Sequence, residues 1–223
     1  MHDPVLASYR RSQAAKLYGR AVEIHESSAH RLRATGREAA ADRVERLAAM
    51  ARDRIDHPAA MARMYSLAQG VRKASRLGEV LDGALDGAIT FLAADFGSIQ
   101  LLDPHTRTLR IVSQRGFTDD FLHYFAVVED QQAACGRAAA ARTQAVIADV
   151  DADPAFAAHR AIAAASGFRA VQSTPLIDQA GCLRGVLSTH FQRPHHPAAH
   201  ELRLTETYAQ LVADAIARIA GRA

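Results

Sequence analysis

Apolar and small residues recur at helical spacing from Leu6 to about Arg33, at Tyr9, Leu17, Ala21, Ile24 and Leu32, with Pro4 near the start where a helix tolerates it. Thr35-Gly36 punctuates the pattern, and the period resumes from Glu38 to Ile55 through Val44, Leu47, Ala48 and Ala51, which predicts a helical hairpin. His57-Pro58 breaks the chain again, because the residue before a proline is pushed out of the α region. From Met61 to about Leu92 a third stripe carries Met64, Leu67, Val71, Leu77, Leu81, Leu85 and Ile89; Gly70 and Gly78 weaken it, and one of them is the candidate joint. The natural boundary lies between Ser66 and Gly78, so residues 1–70 read as an N-terminal helical region and 71–223 as a second domain.

After Asp95 the texture changes. Gly97 to Asp103 is short, apolar and bounded by Gly and Pro104, which predicts a strand; Leu109 to Gln114 follows across Asp103-Pro104-His105-Thr106 as its antiparallel partner. Phe117 to Val128 mixes acidic and aromatic residues and suggests a short helix. Gly136 to Arg142 and Asp153 to Ser166 read as helices around a brief strand, Ala145 to Val150, with Asp153-Pro154 as a helix entry. Phe168 to Ile177 and Leu183 to Phe191 form a second hairpin through Asp178-Gln179-Ala180-Gly181. The last element, His200 to Ile219, is a helix with Leu204, Tyr208, Leu211, Val212, Ala215 and Ile219 on one face. Helices flanking antiparallel strands make an α+β sandwich.

Composition narrows the classes of function. Hydrophobic residues are 49% and charged residues 23% of 223, the balance of a folded globular chain and not of a disordered tail. The formal charge is +3, with Arg interspersed among Asp and Glu and no concentrated basic stripe, which argues against nucleic acid as a partner. No apolar run approaches the roughly 18 residues of a membrane span, and Met1-His2-Asp3-Pro4 lacks the order of a secretory signal, so a cytoplasmic location away from membranes is expected. Two isolated cysteines, Cys135 and Cys182, are too few for a disulfide framework.

Several segments in order then resemble a known family over roughly Leu77 to Ile219. They are Phe96-Gly97-Ser98-Ile99-Gln100-Leu101-Leu102-Asp103, Gln114-Arg115-Gly116-Phe117, Ala134-Cys135-Gly136-Arg137-Ala138, Val146-Ile147-Ala148-Asp149-Val150 with Asp153-Pro154, Gly167 to Leu176, and Gly185-Val186-Leu187-Ser188-Thr189-His190-Phe191. Together they resemble a GAF domain, most like those of bacterial sensor histidine kinases. The resemblance implies a GAF-like six-stranded antiparallel sheet, the first and last helices on one face and smaller helices over a pocket on the other. It also implies a small molecule or signalling protein as input, and a homodimer formed through the terminal helices.

The Asn, Lys, Phe, Asp and Glu set of cyclic-nucleotide GAF domains does not align here. Cys135 precedes Gly136, whereas a bilin-attachment cysteine is commonly followed by His. Ala134-Cys135-Gly136-Arg137-Ala138 resembles the free methionine sulfoxide reductases, whose chemistry needs a second thiol to resolve the product. Phe156-Ala157-Ala158-His159 stands where that thiol would be, and Cys182 lies in a predicted turn. His190, His195, His196 and His200 are spread over a strand, a proline-bearing loop and a helix start, which favours a solvated loop over a metal site. His200-Glu201-Leu202-Arg203 mimics a kinase phosphoacceptor, but too little chain follows for an ATP-binding domain. His25, before Glu26, reads as an exposed helical histidine.

Period-two alternation groups Ser98 with Gln100, Gln172 with Thr174, and Ser188 with His190. The expected pocket residues are Gln100, Gln172, Thr174, Ser188 and His190, with Phe121, Phe125, Cys135, Phe156 and Phe168 as its walls. The resulting expectation is a non-catalytic sensor in which ligand binding biases the packing of Leu77–Leu92 against Leu204–Ile219. A pocketless dimerisation module and a sulfoxide reductase are the alternatives. No cofactor is specified by these residues.

Overall fold

The computed structural model describes residues 4–128 and 132–221, with the side chains of 4–14 and Ile55 excluded, so the Tyr9 and Ile55 positions of the helical stripes lie outside the described side chains. The chain divides into two compact units, Met1–Ala62 and Arg63–Ala223. In the first, α1 (Pro4–Ala34) and α2 (Glu38–Asp56) pack on each other as a hairpin. The turn is closed by Gly36 at φ +70°, a conformation that favours glycine. Buried positions recur at steps of seven and three: Val22 and Ala29 on α1, Ala41, Ala48 and Ala51 on α2. This alanine-rich seam lets the helices approach closely, and it leaves Leu17 67%, Ile24 61% and Leu47 47% exposed. Next to the turn, Arg33 pairs with Glu45 and Asp42 of α2.

The division between the units falls inside α3 (Pro58–Lys73). Neither Gly70 nor Gly78 is the joint between α3 and α4 (Leu77–Leu92), contrary to expectation; the chain breaks at Ala74-Ser75-Arg76. The reason is local: the Glu79 carboxylate accepts the N–H groups of Ser75 and Arg76 at 3.1 and 3.3 Å, capping the new helix.

Six strands form one antiparallel sheet: β1 (Phe96–Leu102), β2 (Leu109–Arg115), β3 (Val127–Val128), β4 (Ala145–Ile147), β5 (Ala170–Ile177) and β6 (Leu183–Phe191), in the order β3-β2-β1-β6-β5-β4. The edge strand β3 follows α5 (Asp119–Tyr124) in a stretch read from sequence as helix alone; two residues are too short to show alternation. The helix expected over Asp153–Ser166 is split into a 3₁₀ turn, Pro154–His159, and α7 (Arg160–Ser166). Asp153 starts the 3₁₀ turn: its carboxylate accepts the Ala155 and Phe156 N–H groups.

The two faces are covered differently. One packs against α4 and the closing helix α8 (Ala199–Ala220), whose first turn is capped by Glu201 accepting the Ala198 N–H at 2.7 Å. Here approach is close enough to demand glycines. A Cβ on Gly97 would meet Leu85 at 2.8 Å, and one on Gly87 would overlap the Tyr208 hydroxyl, which donates to the Ala84 carbonyl at 3.0 Å. Gly185 faces the backbone of Gln100 at the β1–β6 crossing with no room for a methyl group. The other face carries α5, α6 (Ala134–Ala141), α7 and the 3₁₀ turn over an aromatic cluster of Phe117, Phe121, Phe125, Phe156 and Phe168. Among the described residues no helix is long and apolar enough to cross a membrane.

Candidate ligand site

The site is built on three adjacent strands. Pairing sets Phe96 opposite His190, Ser98 opposite Ser188 and Gln100 opposite Val186, while Val171, Ser173 and Pro175 of β5 face the same three β6 residues. Directly paired residues of an antiparallel sheet point to one face, so these form three cross-strand rows on the side covered by the short helices. The middle row is a buried serine set, with Ser173 and Ser188 hydroxyls 2.7 Å apart. Gln100 lies toward one end and His190 toward the other, four residues or about 13 Å apart along the strands.

Over this floor the walls are Phe121, Phe125, Phe156 and Phe168, and Ala133, Ala134 and Cys135 come from the start of α6. They enclose a cavity of about 30 Å³. Room for one or two waters is what such a volume provides. Ring packing fixes the walls: Phe117 stacks on Phe121 with centroids 3.7 Å apart, and Phe168 and Phe117 meet His190 edge-on at 4.8 and 4.9 Å. Enclosure among rings pushes the His190 pKa down to about 3, because burial penalises the imidazolium, so the ring is neutral at pH 7. Its Nδ1 and the Gln100 Oε1 are buried without a hydrogen-bond partner among the described residues. Outside the wall, Arg137 on α6 pairs with Asp153 at 2.7 Å and holds that carboxyl below the usual carboxylate range.

Of the residues expected at a pocket, Gln100, Phe121, Phe125, Cys135, Phe156, Phe168, Ser188 and His190 line this cavity. Gln172 and Thr174 do not; they point to the opposite face, paired with Thr189 and Leu187. Thr174 there accepts from the Gln144 amide, which also reaches the Leu202 carbonyl of α8. Every residue from Ala170 to Leu176 is buried, so β5 has no polar side to set its phase. Ser173 and Val171 were missed for that reason. Ser98 was legible, sharing its face with Gln100.

The histidine cluster is dispersed. His190 is in the cavity, His195 stacks on Phe191 at 3.8 Å on the other side of the strand, His196 is exposed, and His200 is in the first turn of α8. Among the described residues no three His, Cys, Asp or Glu side chains are grouped to hold a metal ion. Cys182 is exposed in the β5–β6 turn and takes no part in the cavity wall.

The model of the GAF domain family matches residues 76–216. The chain belongs to the GAF domain family. Among solved structures, a GAF domain from a phosphoenolpyruvate-protein phosphotransferase of Coxiella burnetii is 20% identical, with TM-score 0.64 over 73% of this chain and 95% of that one. A domain described as part of a two-component sensor histidine kinase of Sinorhizobium meliloti 1021 is 23% identical, with TM-score 0.57 over 67% of this chain and 96% of its own. Free methionine-R-sulfoxide reductase of Neisseria meningitidis, solved with its substrate, is 17% identical, with TM-score 0.60 over 72% and 89%. At these identities the likeness is one of fold. Comparison with curated proteins finds no match. GAF domains generally serve as small-molecule-binding or interaction modules of signalling proteins, and the fold places this chain's cavity on the side of the sheet away from α4 and α8.

Proposed function

We propose that this GAF domain is a non-catalytic sensor that takes a small molecule into the cavity on β1, β5 and β6 and reports it through α4 and α8. The observation that carries the reading is the pair of buried, unpartnered polar atoms on the cavity residues Gln100 and His190. Such atoms each cost about 1–3 kcal/mol unless something pairs with them. Transmission has a short route: Gln100 and Ser98 alternate along β1 with Gly97 and Ile99, and Gly97 touches Leu85 of α4. Tyr208 then keys α8 onto α4 through the Ala84 carbonyl.

A non-catalytic role is supported by the two thiols: sulfoxide reduction needs an attacking and a resolving cysteine, and Cys182 is not in the wall that holds Cys135. Homodimerisation is supported by exposed Leu17, Ile24 and Leu47 on the hairpin, large apolar side chains that favour a second copy. The same residues favour the second reading, a pocketless dimerisation module. Thermal melting against a metabolite library, with hydrogen exchange on any hit, separates the two. The sensor reading expects at least one compound that raises Tm and slows exchange in residues 204–219. A library without effect, combined with loss of dimer in Leu17→Glu/Ile24→Glu by analytical ultracentrifugation, leaves the module reading.

A further inference from the structure

We infer that the cavity selects an uncharged, compact molecule with an apolar body and at least one hydrogen-bond donor. This rests on the reading of the cavity as a ligand site and specifies what that site can take. Its described lining is Phe, Ala, Val, Cys, Ser, Gln and His, with no Arg, Lys, Asp or Glu. The cations of the covering elements are engaged elsewhere: Arg137 with Asp153 and the Gln132 carbonyl, Arg160 with the carbonyls of Val150 and Asp153. His190 cannot supply the missing charge, since its ring is enclosed by Phe117, Phe121 and Phe168. A ligand carboxylate, phosphate or ammonium would therefore enter a largely apolar space where no lining side chain offers a counter-charge, which is unfavourable.

Polarity in the floor defines what remains. Gln100 Oε1 is an acceptor, so its missing partner is a donor; a neutral imidazole has one donor and one acceptor nitrogen, so His190 Nδ1 suits either. Gln172 also has unpartnered amide atoms, but it lies on the other face and lines no described cavity; nothing in the structure explains its burial. Room beside the orphan atom is what sets Gln100 and His190 apart. The size is modest: a cavity of about 30 Å³ is well below the roughly 150 Å³ that admits benzene, so a one-ring molecule is the upper limit and must displace a wall phenylalanine.

The test is calorimetric titration of the full chain at pH 7 with phenol, toluene, benzoate and benzylamine, and with the smaller pair acetamide and acetate. The inference expects binding by phenol or acetamide, phenol about tenfold tighter than toluene, and no detectable binding of benzoate, benzylammonium or acetate. In Gln100→Leu or His190→Phe the preference for phenol over toluene, or for acetamide binding, falls about tenfold while toluene is unaffected. Binding of a charged probe as tightly as its neutral counterpart overturns the selectivity and leaves the sensor reading standing. No binding by any probe overturns this size and polarity rule, and leaves the sensor reading to the metabolite library. A phenol preference unchanged in both variants overturns the role given to Gln100 and His190, with circular dichroism confirming that the variants fold.

Discussion

The two faces of the central sheet are made from alternate residues of the same strands, yet they are used in opposite ways. Toward α4 and α8 the contacts are so close that Gly87 and Gly97 leave no space for a methyl group, Gly185 has none against the neighbouring β1 backbone, and Tyr208 has its partner. Toward the short helices the same strands carry a row of serines, a cavity, and two polar side chains with atoms unmet. A face optimised for packing resists change, whereas a face with unsatisfied groups gives up stability for the capacity to bind. Gln172 is an exception on the packed face.

The sharpest way to break the packed face is Gly185→Ala. Its new methyl group would overlap the Gln100 carbonyl, and the β1 and β6 backbones cannot separate without losing their ladder. A loss of more than about 4 kcal/mol is expected in urea unfolding, or failure to accumulate as soluble protein. Gly87→Ala comes next, at about 2 kcal/mol, because the obstructing atom is the tip of Tyr208 and part of the strain can relax. Combining it with Tyr208→Phe should recover some of that loss, a coupling that unfolding of the double variant measures.

The cavity face should respond to pH. His190 has its folded pKa depressed from the ordinary 6.5 to about 3, so between these values the unfolded chain binds more protons than the folded one. Stability is then fully present above the unfolded pKa and is lost as pH falls through this window. From pH 6.5 to 5 the loss from this group is about 2 kcal/mol. His190→Phe should remove that slope, and the difference between wild type and variant over this range isolates it from the other groups. The smallest effect has the opposite sign: Gln100→Leu should stabilise the domain by about 1 kcal/mol, since an unpaired buried amide is replaced by a side chain of similar size. Gln172→Leu should do the same on the packed face without altering ligand binding, and a matched loss of binding in both variants would dissolve the distinction between the faces.

Much of this was legible along the chain. The helical hairpin, the two strand pairs and the closing helix announce themselves by their periods, and of the cavity walls Cys135 and Phe168 stand in family-like segments while Phe121, Phe125 and Phe156 were legible as candidate apolar walls. In β1 a polar residue alternates with an apolar or small one, so Ser98 and Gln100 could be assigned a common face. The hairpin shows a different limit. Its largest apolar residues marked the helical period, but the inner seam is mostly alanine, with Val22, and Leu17, Ile24 and Leu47 are outside, because small side chains let two helices approach closely.

The sequence by itself determined the long helices, the two strand hairpins, the α+β class and the GAF family, because periodicity, turn residues and motif order are local properties of the chain; the two-residue β3 and the split before α7 were beyond it. The tertiary structure decided which face each buried strand residue serves. In β5 both sides are covered, so nothing local distinguishes Ser173 from Gln172, and only pairing with Ser188 and Thr189 on β6 sends the first into the cavity and the second under the packed face. The neutrality of His190 is equally a product of assembly, since the rings that exclude water from it, Phe117 with Phe121 and Phe168, come from two segments distant from it in the chain.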